Sequence, residues 1–107
     1  MKSGLMQIQT TLETREDALS VARLLVTESL AACVQVIGPV TSVYRWEDGL
    51  QEAEEWLCLA KITEARYPLV EERILEAHPY DVPEVIALPI VGVSRTYREW
   101  VELATSL

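Results

Sequence analysis

Within the seven residues His-Pro-Tyr-Asp-Val-Pro-Glu, this chain places an imidazole, a phenol and two carboxylates: His78, Tyr80, Asp81 and Glu84. His78 is the only histidine. A neutral imidazole suits copper, zinc or nickel, and Asp81 and Glu84 can add oxygen ligands. Pro79 and Pro83 cannot continue a helix, and each biases the residue before it toward an extended backbone. An apolar run from Val85 to Val91 follows. The stretch is therefore a polar elbow leading into a buried strand. It reads either as a metal site at His78, Asp81 and Glu84, or as a rigid joint capped by the imidazole.

A second set of chemistry-bearing residues lies elsewhere. Tyr44 and Trp46, with Arg45 between them, approach a turn, and Lys61 falls on the returning strand. Aromatic and cationic groups together can line a pocket for a small anion or planar ligand. They also serve as interface anchors, where Trp, Tyr and Arg are enriched. With Tyr80 and Cys33 they form the candidate set for a ligand pocket or a cleft between subunits. Cys33, flanked by Ala31, Ala32, Val34 and Val36, and Cys58, within Trp-Leu-Cys-Leu-Ala, both read as packed free thiols. No C-x-x-C or H-x-x-x-H spacing is present, so no ready-made structural zinc site is expected.

Enzymatic readings find little footing. Nucleophilic catalysis requires a base beside a Ser or Cys, and none is near His78 in sequence. No phosphate-cradling glycine loop is present among the 4 glycines. No catalytic residue and no obligatory cofactor are expected, with copper or another divalent ion as the candidate ligand. The acidic residues Glu47, Asp48, Glu52, Glu54 and Glu55 read as a solvated guard around a hairpin.

The elements that must position these groups follow from periodicity. Leu5 to Leu12 alternates as a strand, with Met6, Ile8 and Leu12 on one face and Gln7 and Gln9 on the other. Thr14 is suited to cap a helix running to about Ala32, with Ala18, Val21, Ala22 and Leu25 on its apolar face. Cys33 to Trp46 reads as a strand interrupted at Gly38-Pro39, and Glu47-Asp48-Gly49 as a tight turn. A return strand is expected from about Glu52 to Ile62, then a helix from about Ala65 to Ala77 with Pro68 in its first turn. Glu84 to Val91 is the last main strand, followed by a short helix carrying Tyr97, Trp100 and Leu103.

This order is β-α-β-β-α-β, an α+β sandwich of the ferredoxin-like type in one domain over 1–107. Both main helices should pack on one face of an antiparallel sheet. The strands around Leu57 to Ala60 and Val85 to Val91 are apolar on both sides, and no third layer is apparent to cover the second face. A homo-oligomer built through the sheet is therefore expected.

The 107 residues carry a formal charge of −8, which excludes the basic stripe that nucleic-acid binding requires. No apolar run reaches the roughly 20 residues of a membrane helix. The N-terminus leads into a strand pattern and not a signal-peptide core, so a cytoplasmic location is the expectation.

Several blocks, in order, resemble the CutA family of divalent-cation tolerance proteins. They are Leu30-Ala31-Ala32-Cys33-Val34, Thr41-Ser42-Val43-Tyr44-Arg45-Trp46, and Glu55-Trp56-Leu57 with Lys61. The most specific is His78-Pro79-Tyr80 with Pro83-Glu84 and Ala87-Leu88-Pro89. The resemblance implies a ferredoxin-like protomer in a tight homotrimer, a role in tolerance to copper and other divalent metals, and no securely attached reaction. The same fold and trimeric plan occur in PII-type signalling proteins. The alternative reading is accordingly a sensor or scaffold that binds a small molecule or protein in clefts between subunits. Copper-binding members of the family can carry a cysteine at the end of the first strand and a histidine before the His-Pro. Here these positions are Thr10 and Ala77, which weighs against tight copper binding, above all of Cu(I).

Overall fold

The computed structural model describes residues 2–106. Strand β1 (Leu5–Leu12) leads to helix α1 (Arg15–Thr27), and a long hairpin follows from β2 (Cys33–Trp46) and β3 (Gly49–Thr63). Helix α2 (Tyr67–Ala77), strand β4 (Ile86–Ile90) and helix α3 (Arg95–Ala104) complete the chain. The sheet order is β2-β3-β1-β4 with every neighbouring pair antiparallel. This is the ferredoxin-like arrangement that the alternating elements imply.

Local chemistry explains most of the element ends. The Thr14 hydroxyl accepts from the Asp17 N–H at 3.1 Å, and Glu16 and Asp17 place negative charge at the positive end of α1. The helix stops at Thr27, five residues short of the Ala32 expected from sequence. Ser29 adopts φ 59°, and the N–H groups of Leu30 and Ala31 both turn back to the Leu25 carbonyl. Glycine usually marks such a left-handed helix exit. A serine takes the position here, so the sequence carries no glycine to flag it. Strand β3 is longer than expected at both ends, and β4 is shorter than the expected Glu84 to Val91.

The hairpin is interrupted where Gly38-Pro39 suggested. Ile37 pairs with Leu57 but Val40 pairs with Glu55, so one residue of β2 is bulged out. A Cβ on Gly38 would lie 2.6 Å from the Trp56 ring, a clash that glycine alone avoids. The Gly38-Pro39 peptide bond is cis. Beyond the bulge, β2 and β3 continue as a two-stranded arm to Trp46 opposite Gly49. In that turn Glu47, not the glycine, holds the left-handed backbone, at φ 58°.

Cross-strand register assigns the two faces of the sheet. Met6, Ile8, Thr10 and Leu12 share a face with Ile62, Ala60, Cys58 and Trp56. There they meet α1 through Ala18, Val21 and Leu25, and α2 through Val70 and Ile74. Ile8, Leu12, Ile62 and Ile74 are at most 1% exposed. The other face carries Ile37 with Leu57, Leu59 with Gln9, and Leu88 with Gln7.

Sequence patterning left that second face without cover, and the structure corrects this at one end. Helix α3 packs Val101 against Leu5 and Ala32 in a small second core, with Ile90 and Val93 around it. The Arg66 guanidinium donates to the Thr105 carbonyl at 2.6 Å and ties the end of α3 down. The rest of the face stays open: Ile37 is 46% exposed, Ile86 43% and Leu88 45%. Among the described residues, the outer strands β2 and β4 also leave one edge each without a neighbouring strand.

Candidate functional site

A groove of about 780 Å³ lies between the hairpin arm and the elbow that follows α2. The arm contributes Tyr44, Trp46, Ala53 and Glu55, and the elbow contributes Pro79 to Val82 and Glu84. Thr11 and Glu13, at the exit of β1, form its floor. In an antiparallel ribbon, residues two apart share a face, which is why Ser42, Tyr44 and Trp46 arrive together. Arg45 falls on the opposite face and does not line the groove.

The elbow is held by His78. Its backbone N–H closes α2 on the Ile74 carbonyl at 2.8 Å, and its ψ of 133° is the extended value demanded by Pro79. The side chain is 8% exposed. Nε2 donates to the Thr11 carbonyl at 2.8 Å, and Nδ1 accepts the Tyr80 N–H at 3.2 Å. This network assigns a neutral ring with its proton on Nε2. Burial holds the imidazole pKa below its ordinary value, against the opposing pull of the Thr11 carbonyl and the charges of Asp17 and Glu55. Thus both ring nitrogens are taken. A metal can reach the imidazole only after one of these hydrogen bonds is given up.

Tyr80 stacks at a tilt beside His78, ring centroids 4.7 Å apart. Its hydroxyl crosses to the arm and donates to Glu55 Oε2 at 2.8 Å. Burial, reinforced by the Glu55 carboxylate, pushes the phenol well above its ordinary pKa, so it remains a donor at physiological pH. Glu84 accepts from Gln9 Nε2 at 2.9 Å, which fastens the elbow to β1 from the other side. Asp81 lines the groove.

The candidate residues named from sequence therefore separate into two places. Tyr44, Trp46, Tyr80, Asp81 and Glu84 meet at the groove, with His78 beneath it. Cys33 and Lys61 face each other across β2 and β3, outside the groove, and Lys61 Nζ donates to Gln35 Oε1 at 2.8 Å. Within one protomer, Cys33 and Lys61 therefore do not join the aromatic members of that set. Sequence reading missed Glu55 as the partner of Tyr80, and missed Thr11 and Glu13 altogether. Glu55 was visible only as one of several hairpin charges.

A family model described as CutA1 divalent ion tolerance protein matches residues 6–104. The chain belongs to the CutA1 family. It is 43% identical over 90 residues to the divalent-cation tolerance protein CutA of Thermus thermophilus, spanning 84% of this chain and 87% of that one. It is 40% identical over 98 residues to the chloroplastic protein CutA of Arabidopsis thaliana, spanning 92% of this chain but only 54% of that longer protein. The crystal structure of CutA1 from Shewanella sp. SIB1 superposes with a TM-score of 0.94 at 34% identity, covering 100% of both chains.

A CutA1 family name raises the question of a resident metal. Among the described residues, no three His, Cys, Asp or Glu side chains converge to hold one. Thr10 has its hydroxyl buried without a hydrogen-bond partner among the described residues. Cys58, opposite Thr10, is buried and donates its thiol to the Ala18 carbonyl at 3.3 Å. Burial lifts its pKa to about 11. Cys33 is partly buried, and both thiols are free. This donor set does not fit a dedicated metal centre within one protomer. No described helix is long and apolar enough to cross a membrane.

Proposed function

We propose that this chain is a non-catalytic, homotrimeric divalent-cation tolerance protein. It meets copper or other divalent ions weakly, through the elbow carboxylates Asp81 and Glu84. The family match across residues 6–104 carries this reading. The geometry supports its two parts. His78 serves as the pin of the elbow, while Asp81 and Glu84 are left at the rim of an acidic groove. The open apolar face and the two free strand edges call for a cover, and closed rotational symmetry is the common way to supply one with identical copies. Three copies is the count that the family resemblance implies. Two free thiols suit a reducing compartment, so a cytoplasmic location is part of the proposal.

The test has two readouts. Sedimentation equilibrium at micromolar concentration should give three times the chain mass, and a monomer would overturn the assembly. Deleting the gene in its host should lower the concentration of copper or zinc at which cells still grow, with rescue by the intact gene. Identical growth curves would overturn the tolerance reading.

A further inference from the structure

Residues 78–85 join α2 to β4 without belonging to helix or strand. Side chains hold this strap in place. Near its far end Gln9 of β1 donates to Glu84, and in its middle the Tyr80 hydroxyl donates to Glu55 on the arm. At its near end everything passes through one ring. His78 Nε2 donates to the Thr11 carbonyl, and Nδ1 accepts the Tyr80 N–H. All of these contacts lie within one protomer, so they do not depend on how copies assemble.

The two ring bonds have opposite polarity, and only a neutral ring makes both. A second proton can go only on Nδ1, the nitrogen that faces the Tyr80 N–H at 3.2 Å. Donor then meets donor. Among the described residues, the Tyr80 N–H has no other acceptor. The Thr11 bond survives the same event, because Nε2 remains a donor. Protonation is therefore aimed at the strap and not at the sheet.

The surroundings fix the sign. Asp17 on α1, Glu55 on β3 and the Thr11 carbonyl on β1 each favour the charged ring, and no cation is among them. Glu13 and Tyr44 act on the neighbouring phenol. Burial outweighs the three that favour charge, so the closed strap keeps the ring neutral to below its ordinary 6.5. An opened strap lets the ring reach water and take the proton at its ordinary value. Acid thus favours opening.

We propose that His78 is a proton-operated catch: with Nδ1 protonated it releases the Tyr80 N–H, and the stretch from Pro79 to Val82 swings off the arm while the sheet, α1 and α2 stay folded. Such local opening below the cost of global unfolding is common in segments without their own backbone ladder. Losing the Tyr80 anchor also undoes its hydroxyl bond to Glu55, so the two walls of the groove part. This goes beyond the metal-tolerance reading and does not depend on it.

The test is residue-by-residue hydrogen exchange of the nitrogen-15-labelled full-length protein by NMR, with a chelator present, from pH 7.5 to 5. Each rate is divided by its intrinsic rate, which removes the chemical effect of pH on exchange. The Tyr80 amide should lose protection by up to about tenfold per pH unit below 6.5, levelling off at the folded pKa of the ring. The amides of Ile8 and Leu25 should keep theirs. In His78→Gln the Tyr80 profile should be flat. Tyr80→Phe, which keeps the ring bond and loses the arm bond, should retain the slope at lower protection throughout. If His78→Gln does not fold, the wild-type ring decides: the Tyr80 amide shift should follow the same titration as the Nδ1 shift. A ring still neutral at pH 5, or one that titrates while Tyr80 is unchanged, would overturn the proposal. So would an equal loss of protection at Ile8, or the wild-type slope surviving in His78→Gln.

Discussion

Ile8 and Leu88 stand on neighbouring strands of one sheet, yet Ile8 is 1% exposed and Leu88 is 45% exposed. The covered face has α1 and α2 against it, and its apolar side chains interlock in one cluster. The open face has comparable aliphatic residues but only α3, seated at one end. Around Leu57 to Ala60 and Val85 to Val91, sequence alone makes the two faces look alike, because strands apolar on both sides show no alternation. The difference is one of supply: the chain has helix enough for one face and a corner of the other. In the proposed assembly the remainder is sealed by other copies, so the two faces should respond to mutation in different currencies. Damage to the covered face should appear as lost folding stability at any concentration. Damage to the open face should appear as lost association.

The largest effect is expected from Ile8→Ala. It should lower unfolding free energy by about 2–5 kcal/mol in urea melts, through lost burial and the cavity left behind. Leu88→Lys should leave the protomer's helix and strand content intact by circular dichroism. It should shift sedimentation toward monomer, with a penalty on association of about 2 kcal/mol or more if Leu88 lies at the centre of the contact. Equal sedimentation of Leu88→Lys and wild type would remove the open face from the assembly.

His78→Ala strips the Thr11 carbonyl and the Tyr80 N–H of their partner and should cost about 1–3 kcal/mol. The same residue makes stability depend on pH. Its folded pKa lies below the ordinary 6.5, so the unfolded chain binds the proton more readily. The stabilisation is complete above the unfolded value and declines as pH falls below it toward the folded value. Urea midpoints at pH 7.5 and 5.5 should therefore differ more for wild type than for His78→Gln, the carboxylates being common to both.

Thr10→Val sharpens the comparison from the covered side. It replaces a buried hydroxyl that has no partner with a methyl group, and should raise stability by about 1–2 kcal/mol. The smallest change is expected at the tip of the arm. Glu47→Gly relieves a left-handed backbone of its side chain at φ 58° and should stabilise by about 1 kcal/mol or less, read as a small rise in Tm.

Much of this architecture was legible because its signals are local. Alternation in β1, the Thr14 cap, the Gly38-Pro39 interruption and Pro68 at the start of α2 each announce themselves within a few residues. The end of α1 was misplaced because Ser29 takes a backbone conformation for which glycine is the usual sign, and Glu47 does the same within the hairpin turn. The destination of α3 was not legible, since which face a short helix chooses depends on Leu5 and Ala32, far away in sequence. The elbow was recognised as a unit from its prolines and polar residues. Its partners were hidden, because Thr11 acts through its backbone and Glu55 looked like any other hairpin charge. The separation of Lys61 and Cys33 from the groove follows from register. Pairing Trp46 with Gly49 and allowing one bulged residue puts Cys33 opposite Lys61.

One quiet feature bears on how long such a molecule lasts. Copper ions and the oxidants they generate attack sulfur as thiolate, and a group with a pKa of about 11 holds only about one part in ten thousand in that form at neutral pH. Cys58, on β3 beside β1 and sealed beneath α1 with its thiol proton donated to the Ala18 carbonyl, is in effect passivated. For a member of a divalent-cation tolerance family, the consequence is a central thiol that offers metals and oxidants little of the form they attack.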